Sequence, residues 1–249
     1  MKTLLLATAA FAALIAAPVL AQTGPVGSVG VSYSNTQLEF DGLDADRDAY
    51  ALDGVVAIDA FKGWTATFAG TVGYNDDVDD TALAGTAHLT RMAGSELRFG
   101  GFIGAADAGE ETAWTIGAEA QKYLANATLT GSVAYTTADD VDVDAWTVSG
   151  DAAVYINPNL RLNAGLAYTT LEAAGEDADV WTYGVGAEYE ISSTPFSVAA
   201  GYTRGDLEGI DLETWTIGLR YSFGGGLQAR DRAGATLSNA GVAGLLGAL

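Results

Sequence analysis

Four copies of one short phrase constrain this chain more than any other feature: Trp114-Thr115-Ile116-Gly117, Trp146-Thr147-Val148-Ser149, Trp181-Thr182-Tyr183-Gly184 and Trp215-Thr216-Ile217-Gly218. Each follows an acidic cluster and opens a run in which every second residue is apolar. The same register reaches back to Tyr50-Ala51-Leu52 and Leu83-Ala84-Gly85, so Tyr50, Leu83, Trp114, Trp146, Trp181 and Trp215 are 33, 31, 32, 35 and 34 residues apart. A repeat of that length with period-2 alternation inside it is one β-hairpin with its connections.

Residues 1–21 stand outside the repeat. Lys2, the apolar run Leu4 to Ala17 and the small-residue ending Val19-Leu20-Ala21 make a secretory signal peptide rather than a retained membrane helix. Cleavage after Ala21 starts the mature chain at Gln22 and, with Lys2 lost, moves the formal charge from −21 to −22. An exported chain without cysteine needs some other tie than disulfides, and a fully hydrogen-bonded barrel supplies one. The acidic balance argues against a nucleic-acid partner, because a phosphate backbone requires clustered Lys and Arg.

From Ser28 onward the alternation marks about twelve segments: 28–40, 49–60, 63–74, 81–91, 96–105, 112–122, 127–136, 145–155, 159–170, 180–190, 195–204 and 212–223. Their length is that of tilted strands crossing a bilayer core. One face carries large apolar residues, as in Trp215, Ile217, Leu219, Tyr221 and Phe223. The other carries Gly, Ala, Ser and Thr with scattered charges. That distribution suits lipid outside and a polar lumen inside, the reverse of a soluble sandwich. The expected fold is all-β: a closed antiparallel transmembrane β-barrel of about twelve strands, preceded by a cleaved signal peptide. In the first segment the alternation changes parity at Leu38 and Phe40, which suggests a bulge.

Aromatic residues fall at the ends of the apolar face, as headgroup regions select. Trp114, Trp146, Trp181 and Trp215 open even-numbered segments, Tyr74, Tyr135, Tyr168 and Tyr202 close odd-numbered ones, and Trp64 marks the other rim. The connections divide likewise. Six stretches, 41–48, 75–81, 107–111, 138–144, 172–179 and 205–213, hold 23 of the 32 acidic residues and alternate with five short, nearly acid-free turns. The acidic stretches therefore share one rim, expected to be extracellular, and the short turns face the periplasm.

Together these residues resemble a Gram-negative outer-membrane β-barrel of the porin type, and their Gly/Ala-rich, Asp-rich style resembles porins of photosynthetic and marine α-proteobacteria. The resemblance spans residues 28–223. It implies surroundings of outer-membrane lipid and lipopolysaccharide, and passage of small hydrophilic solutes or ions. Members of that family are longer, with a loop folded into the lumen that no connection here could supply; in size the chain is nearer to small channels resembling oligosaccharide-specific porins. The division is residues 1–21 signal peptide, 22–224 barrel and 225–249 a Gly/Ala-rich tail. The tail has two readings: a loose periplasmic extension, or a plug that carries Arg230 and Arg232 to acids in the lumen.

Ionisable residues on the inward face are the candidates for a functional site, since a narrow lumen focuses their field. By register they are Asp53, Asp59, His88, Arg98, Glu119, Asp151, Arg161, Glu188 and Arg220, with Glu190 at the margin. Glu119, Asp151 and Arg220 each lie five residues after a tryptophan, and His88 five after Leu83, so the four share a height. The competing reading is that they pair internally and hold the lumen together. No catalytic residue is expected: His88 is the single histidine and no Gly-x-Ser-x-Gly elbow occurs. No cofactor or dedicated metal site is expected either. Asp44 to Asp48 and Asp140 to Asp144 begin like calcium loops, but Ala49 and Ala145 replace the required glycine, which leaves only weak divalent-cation binding at the acidic loops. The functional expectation is a cation-preferring diffusion channel; the alternative is a non-conducting structural barrel with a closed lumen.

Overall fold

The computed structural model describes residues 24–40, 43–75, 80–108, 111–138, 143–173, 175–207 and 210–237. The signal peptide expected over 1–21 lies outside them, as do parts of the acidic connections. Twelve antiparallel strands follow in chain order: β1 (Val26–Phe40), β2 (Leu43–Phe61), β3 (Trp64–Asn75), β4 (Asp80–Ala93), β5 (Leu97–Ala108), β6 (Glu111–Tyr123), β7 (Ala127–Ala138), β8 (Val143–Asn157), β9 (Leu160–Ala173), β10 (Glu176–Glu190), β11 (Phe196–Leu207) and β12 (Ile210–Phe223). Each pairs with its neighbours in sequence, and β1 closes on β12 from Gly27↔Phe223 to Phe40↔Ile210. Closure removes the sheet edges, so every strand finds backbone partners on both sides, as a hydrocarbon setting demands.

Burial is inverted relative to a soluble protein. On β8, Trp146 and Val148 are 57% and 58% exposed while Thr147 between them is 5% exposed. Period 2 places every apolar residue of such a run on the lipid face and its small polar neighbour in the lumen. Hydroxyls meet across the inner wall: Thr115 with Thr136 at 2.8 Å, Ser132 with Ser149 at 2.7 Å and Thr147 with Thr169 at 2.9 Å.

Two details differ from the expectation. The register of β1 runs without a shift against both β2 and β12, so Leu38 and Phe40 mark no bulge; the shifts occur in β2 between Asp59 and Phe61 and in β8 between Tyr155 and Asn157. Leu38 lies beyond the aromatic ring at Tyr33, where the lipid/lumen distinction no longer selects side chains. In addition, much of the acidic sequence is strand rather than loop: β2 begins at Leu43 and β10 at Glu176. The ladder continues past the apolar band into water, where charged side chains are no burden.

The acidic end is fastened by a recurring clamp. On four hairpins a tyrosine of the odd strand stacks on the aromatic residue of the next strand, with centroids at 5.5 Å (Tyr33–Tyr50), 5.2 Å (Tyr135–Trp146), 4.8 Å (Tyr168–Trp181) and 4.5 Å (Tyr202–Trp215). Its hydroxyl then bonds the carboxylate two residues before that aromatic. Tyr33 donates to Asp48 at 2.7 Å, Tyr135 to Asp144 at 2.6 Å and Tyr168 to Asp179 at 2.8 Å, and Tyr202 bonds Glu213. The acid two residues before Tyr50, Trp146, Trp181 and Trp215 is thus part of the girdle.

Asp48 and Asp144 lie above the apolar band, and both carboxyls stand below the usual carboxylate range. The causes are hydrogen bonds, from Asn35 and then Tyr33 for Asp48, and from Tyr135 and then Thr137 for Asp144. A carboxyl held low by the folded state adds stability above its ordinary range and loses it as pH falls through its own lower value. Acidification below about pH 4 should therefore loosen this rim first. Tyr135→Phe keeps the ring and removes the donor, so Asp144 should titrate closer to the ordinary carboxylate value by NMR. An unchanged Asp144 titration would refute the clamp.

Candidate functional site

The inward ionisable residues fall into separate groups around the lumen. At mid-depth, β4 and β6 bring His88 to Glu119. His88 Nδ1 lies 2.8 Å from Glu119 Oε1 and its Nε2 lies 3.0 Å from Thr86 Oγ1, with both side chains of the pair 1% exposed. Phe102 on β5 also points inward and stacks on the imidazole at 5.2 Å. Gly117 makes room for that ring, since a Cβ there would stand 2.3 Å from Phe102 Cζ. Glu119 Oε2 is buried without a partner. Hydroxyl, imidazole and carboxylate stand in relay order here. The flanking backbone of β4, β5 and β6 is committed to the ladders.

Across the lumen, Arg220 on β12 meets Asp53 on β2 at 3.0 Å and donates to Ser28 at 3.1 Å. Glu188 on β10 accepts at 2.7 Å from Ser197, which is the register partner of Arg220. Arg161 on β9 is the register partner of Glu188, and its Nε is buried without a hydrogen bond. Asp151 on β8 is half-buried, bonded to Thr130 and within electrostatic reach of Arg161. Asp59 joins none of these groups: it is exposed at the end of β2, beside the register shift.

Arg98 on β5 has a role that no spacing indicated. It is 4% exposed, and its Nε donates to Tyr123 Oη at 2.9 Å while Nη1 donates to Thr90 at 3.0 Å. Nη2 reaches past the wall to the carbonyl of Arg232 at 2.9 Å. That carbonyl belongs to a short helix, α1 (Leu227–Arg232), folded back into the short-turn half of the lumen. Arg230 meets Glu188 at 2.7 Å, so this arginine does reach a lumen acid. Arg232 does not; it donates to the carbonyl of Ala125 in the β6–β7 turn at 3.1 Å. Asp231 is 1% exposed and accepts hydrogen bonds from Thr128 and Thr236.

Tyr123, Gln121, Thr128 and Thr67 all serve this segment or its seat, and sequence reasoning passed over them. Tyr123, like Phe102 and Tyr155, left a sign as a large aromatic on a face built mainly of small residues. Above the segment a cavity of about 560 Å³ remains, lined by the Asp53–Arg220 and Glu188–Arg230 pairs, His88, Arg161, Asn163 and small hydroxyl residues.

The girdle tryptophans Trp114, Trp146, Trp181 and Trp215 are 53–61% exposed on the outer face. At the other rim, Arg91 stacks over Trp64 at 5.6 Å and Phe196 packs edge-on against Tyr221. Among the described residues no three or more His, Cys, Asp or Glu converge as metal ligands, and Asp140 and Asp142 lie outside those residues.

A family model for the outer membrane protein β-barrel domain matches residues 5–223. Among solved structures, an outer membrane channel from Pseudomonas putida F1 superposes with a TM-score of 0.59 at 12% identity, covering 82% of this chain and 97% of that one. The NanC porin gives 0.57 at 8% identity, covering 78% and 100%. The KdgM porin in complex with disordered oligogalacturonate gives 0.56 at 9% identity, covering 78% and 99%. At such identities the likeness is one of fold. The sequence matches no curated protein at a significant level.

Proposed function

Because the chain belongs to the outer membrane protein β-barrel family and resides in the cell outer membrane, we propose that it is a porin-like channel, α-proteobacterial in style, for passive diffusion of small hydrophilic solutes, with a preference for cations. One observation carries the reading: a cavity of about 560 Å³ inside a closed barrel, where the Asp53–Arg220 and Glu188–Arg230 pairs, His88, Arg161, Asn163 and several hydroxyls share the wall with small and aliphatic residues. A polar lumen with charges at its narrow part is what lets a hydrated solute exchange water for wall contacts. The fold shared with the KdgM and NanC porins supports the same reading.

The cation preference follows from where the charge lies. The wall charges largely neutralise one another in pairs, while 23 of the 32 acids surround one mouth and raise the local cation concentration. Residues 1–21 are the leader that exports the chain, the acidic mouth faces the exterior, and the short turns face the periplasm.

A second reading, a non-conducting structural barrel, is favoured by one observation: α1 fills the short-turn half of the lumen. Planar-bilayer recording under a salt gradient separates the two, using both the full chain and a barrel that ends at Gly225. The expected result is ohmic conductance with a reversal potential displaced towards the cation equilibrium value. Anion preference would refute the selectivity, and a folded but silent barrel would refute the channel.

A further inference from the structure

We infer that Gly226 to Leu237 is a displaceable plug: the short-turn half of the lumen is a peptide-binding seat, the chain's own C-terminal segment is its occupant, and the pore opens when that segment leaves. This inference rests on the channel reading and adds its regulation.

The seat is built from all round the barrel. Thr67 of β3 donates to the Gly234 carbonyl at 3.0 Å, Arg98 of β5 to the Arg232 carbonyl at 2.9 Å, Thr128 of β7 to Asp231, and Gln228 returns a bond to the Ala125 carbonyl at 2.9 Å. From β10, Glu188 takes Arg230, which makes the one side-chain ion pair between segment and wall among the described residues. Leu227, Arg230 and Asp231 are 1%, 3% and 1% exposed. Wall side chains thus read backbone carbonyls and charged groups of the segment, which is recognition of a peptide rather than chance filling of a void.

Three features make the occupant releasable. The barrel closes without it, since β1 and β12 pair from Gly27↔Phe223 to Phe40↔Ile210. Its attachments are mainly polar, with Leu227, Ala235 and Leu237 the apolar residues it buries. When a polar segment leaves a polar lumen, water replaces its hydrogen bonds nearly one for one, whereas an apolar plug would leave bare hydrocarbon surface behind. The connection to β12 is a glycine hinge. Gly224 has φ +82° and Gly225 φ +150°, torsions suited to glycine, and a Cβ on Gly224 would stand 2.8 Å from the Pro25 carbonyl. Gly224, Gly225 and Gly226 thus turn the chain from the wall into the lumen and give it a swivel.

The test uses the full chain first. Glu188→Arg faces Arg230 with a like charge and should raise conductance at least about tenfold, close to the level of the barrel ending at Gly225. The exchange Glu188→Arg with Arg230→Glu should restore the block, as should a synthetic peptide of residues 226–249 added to the truncated barrel from the short-turn side. Glu188→Gln serves as a milder variant, and heat-modifiable gel mobility verifies the fold of each. If the full chain conducts as well as the truncated barrel, the plug is refuted and the channel stands. If truncation opens the pore but Glu188→Arg stays closed, the segment is a fixed part of the wall and the inference fails. If the folded truncated barrel is silent, the channel reading falls first.

Discussion

Replacing Leu219 with arginine is expected to cost the barrel about 2–4 kcal/mol, the penalty for a cation facing lipid near the bilayer midplane. Leu219 is 47% exposed on the outer face of β12, midway between Trp215 and Phe223, and its register partners Val31 and Val198 are also apolar. The next residue along the strand is a native arginine. Arg220 points the other way, to Asp53 and Ser28, and is accommodated because the lumen offers a counter-ion and polar neighbours. Neighbouring positions thus differ in tolerance of the same side chain because period 2 puts them in different solvents. Thr216→Arg, in the cavity wall, is the control and should change stability by roughly 1 kcal/mol or less. Guanidinium unfolding in lipid vesicles, followed by tryptophan fluorescence, measures both. Equal costs would mean that Leu219 does not meet lipid.

The second large effect is expected at His88. His88→Leu leaves the Glu119 carboxylate buried with neither oxygen paired and should destabilise the barrel by about 3–5 kcal/mol. Glu119→Leu should also be costly, because it strands the imidazole. The double variant, His88→Leu with Glu119→Leu, removes both polar groups and keeps the stack on Phe102 apolar, so it should recover most of the loss. The cycle distinguishes a coupled pair from two independent wall residues. Additive costs would refute the coupling. The pair is 1% exposed on both sides, so bulk water does little to soften the imbalance.

Much of this is legible in the sequence alone. Alternation from Val148 through Val154 assigned each residue of β8 to lipid or lumen, and the spacing of the tryptophan phrases counted the hairpins. The similar heights expected of His88 and Glu119 became a direct contact, because β4 and β6 flank a single strand whose inward residue there, Phe102, packs over Gly117. The clamp was half legible. An acid before each tryptophan was visible, but the tyrosine that reaches it comes from the preceding strand, and only the register sets them opposite each other. The tail was legible only as two alternatives. Its glycine and alanine content suits a loose extension as well as a plug, and nothing local names Glu188 as the partner of Arg230 or Thr128 as that of Asp231.

By itself, the sequence determined the faces, the strand number, the membrane setting and the concentration of acids at one mouth. Each follows from a preference that acts residue by residue: lipid takes apolar side chains, water takes charged ones, and a strand alternates between them. Tertiary structure alone decided which charges neutralise one another and what fills the lumen. Those pairings join residues brought together only by closure of the barrel or by the tail folding into it: Asp53 and Arg220 are 167 positions apart, and Arg98 and Arg232 are 134 apart. A local pattern carries no information about partners at that distance, because curvature and register of the whole wall choose them. Function lives in that second set of facts, since an open pore and a plugged one can share every strand.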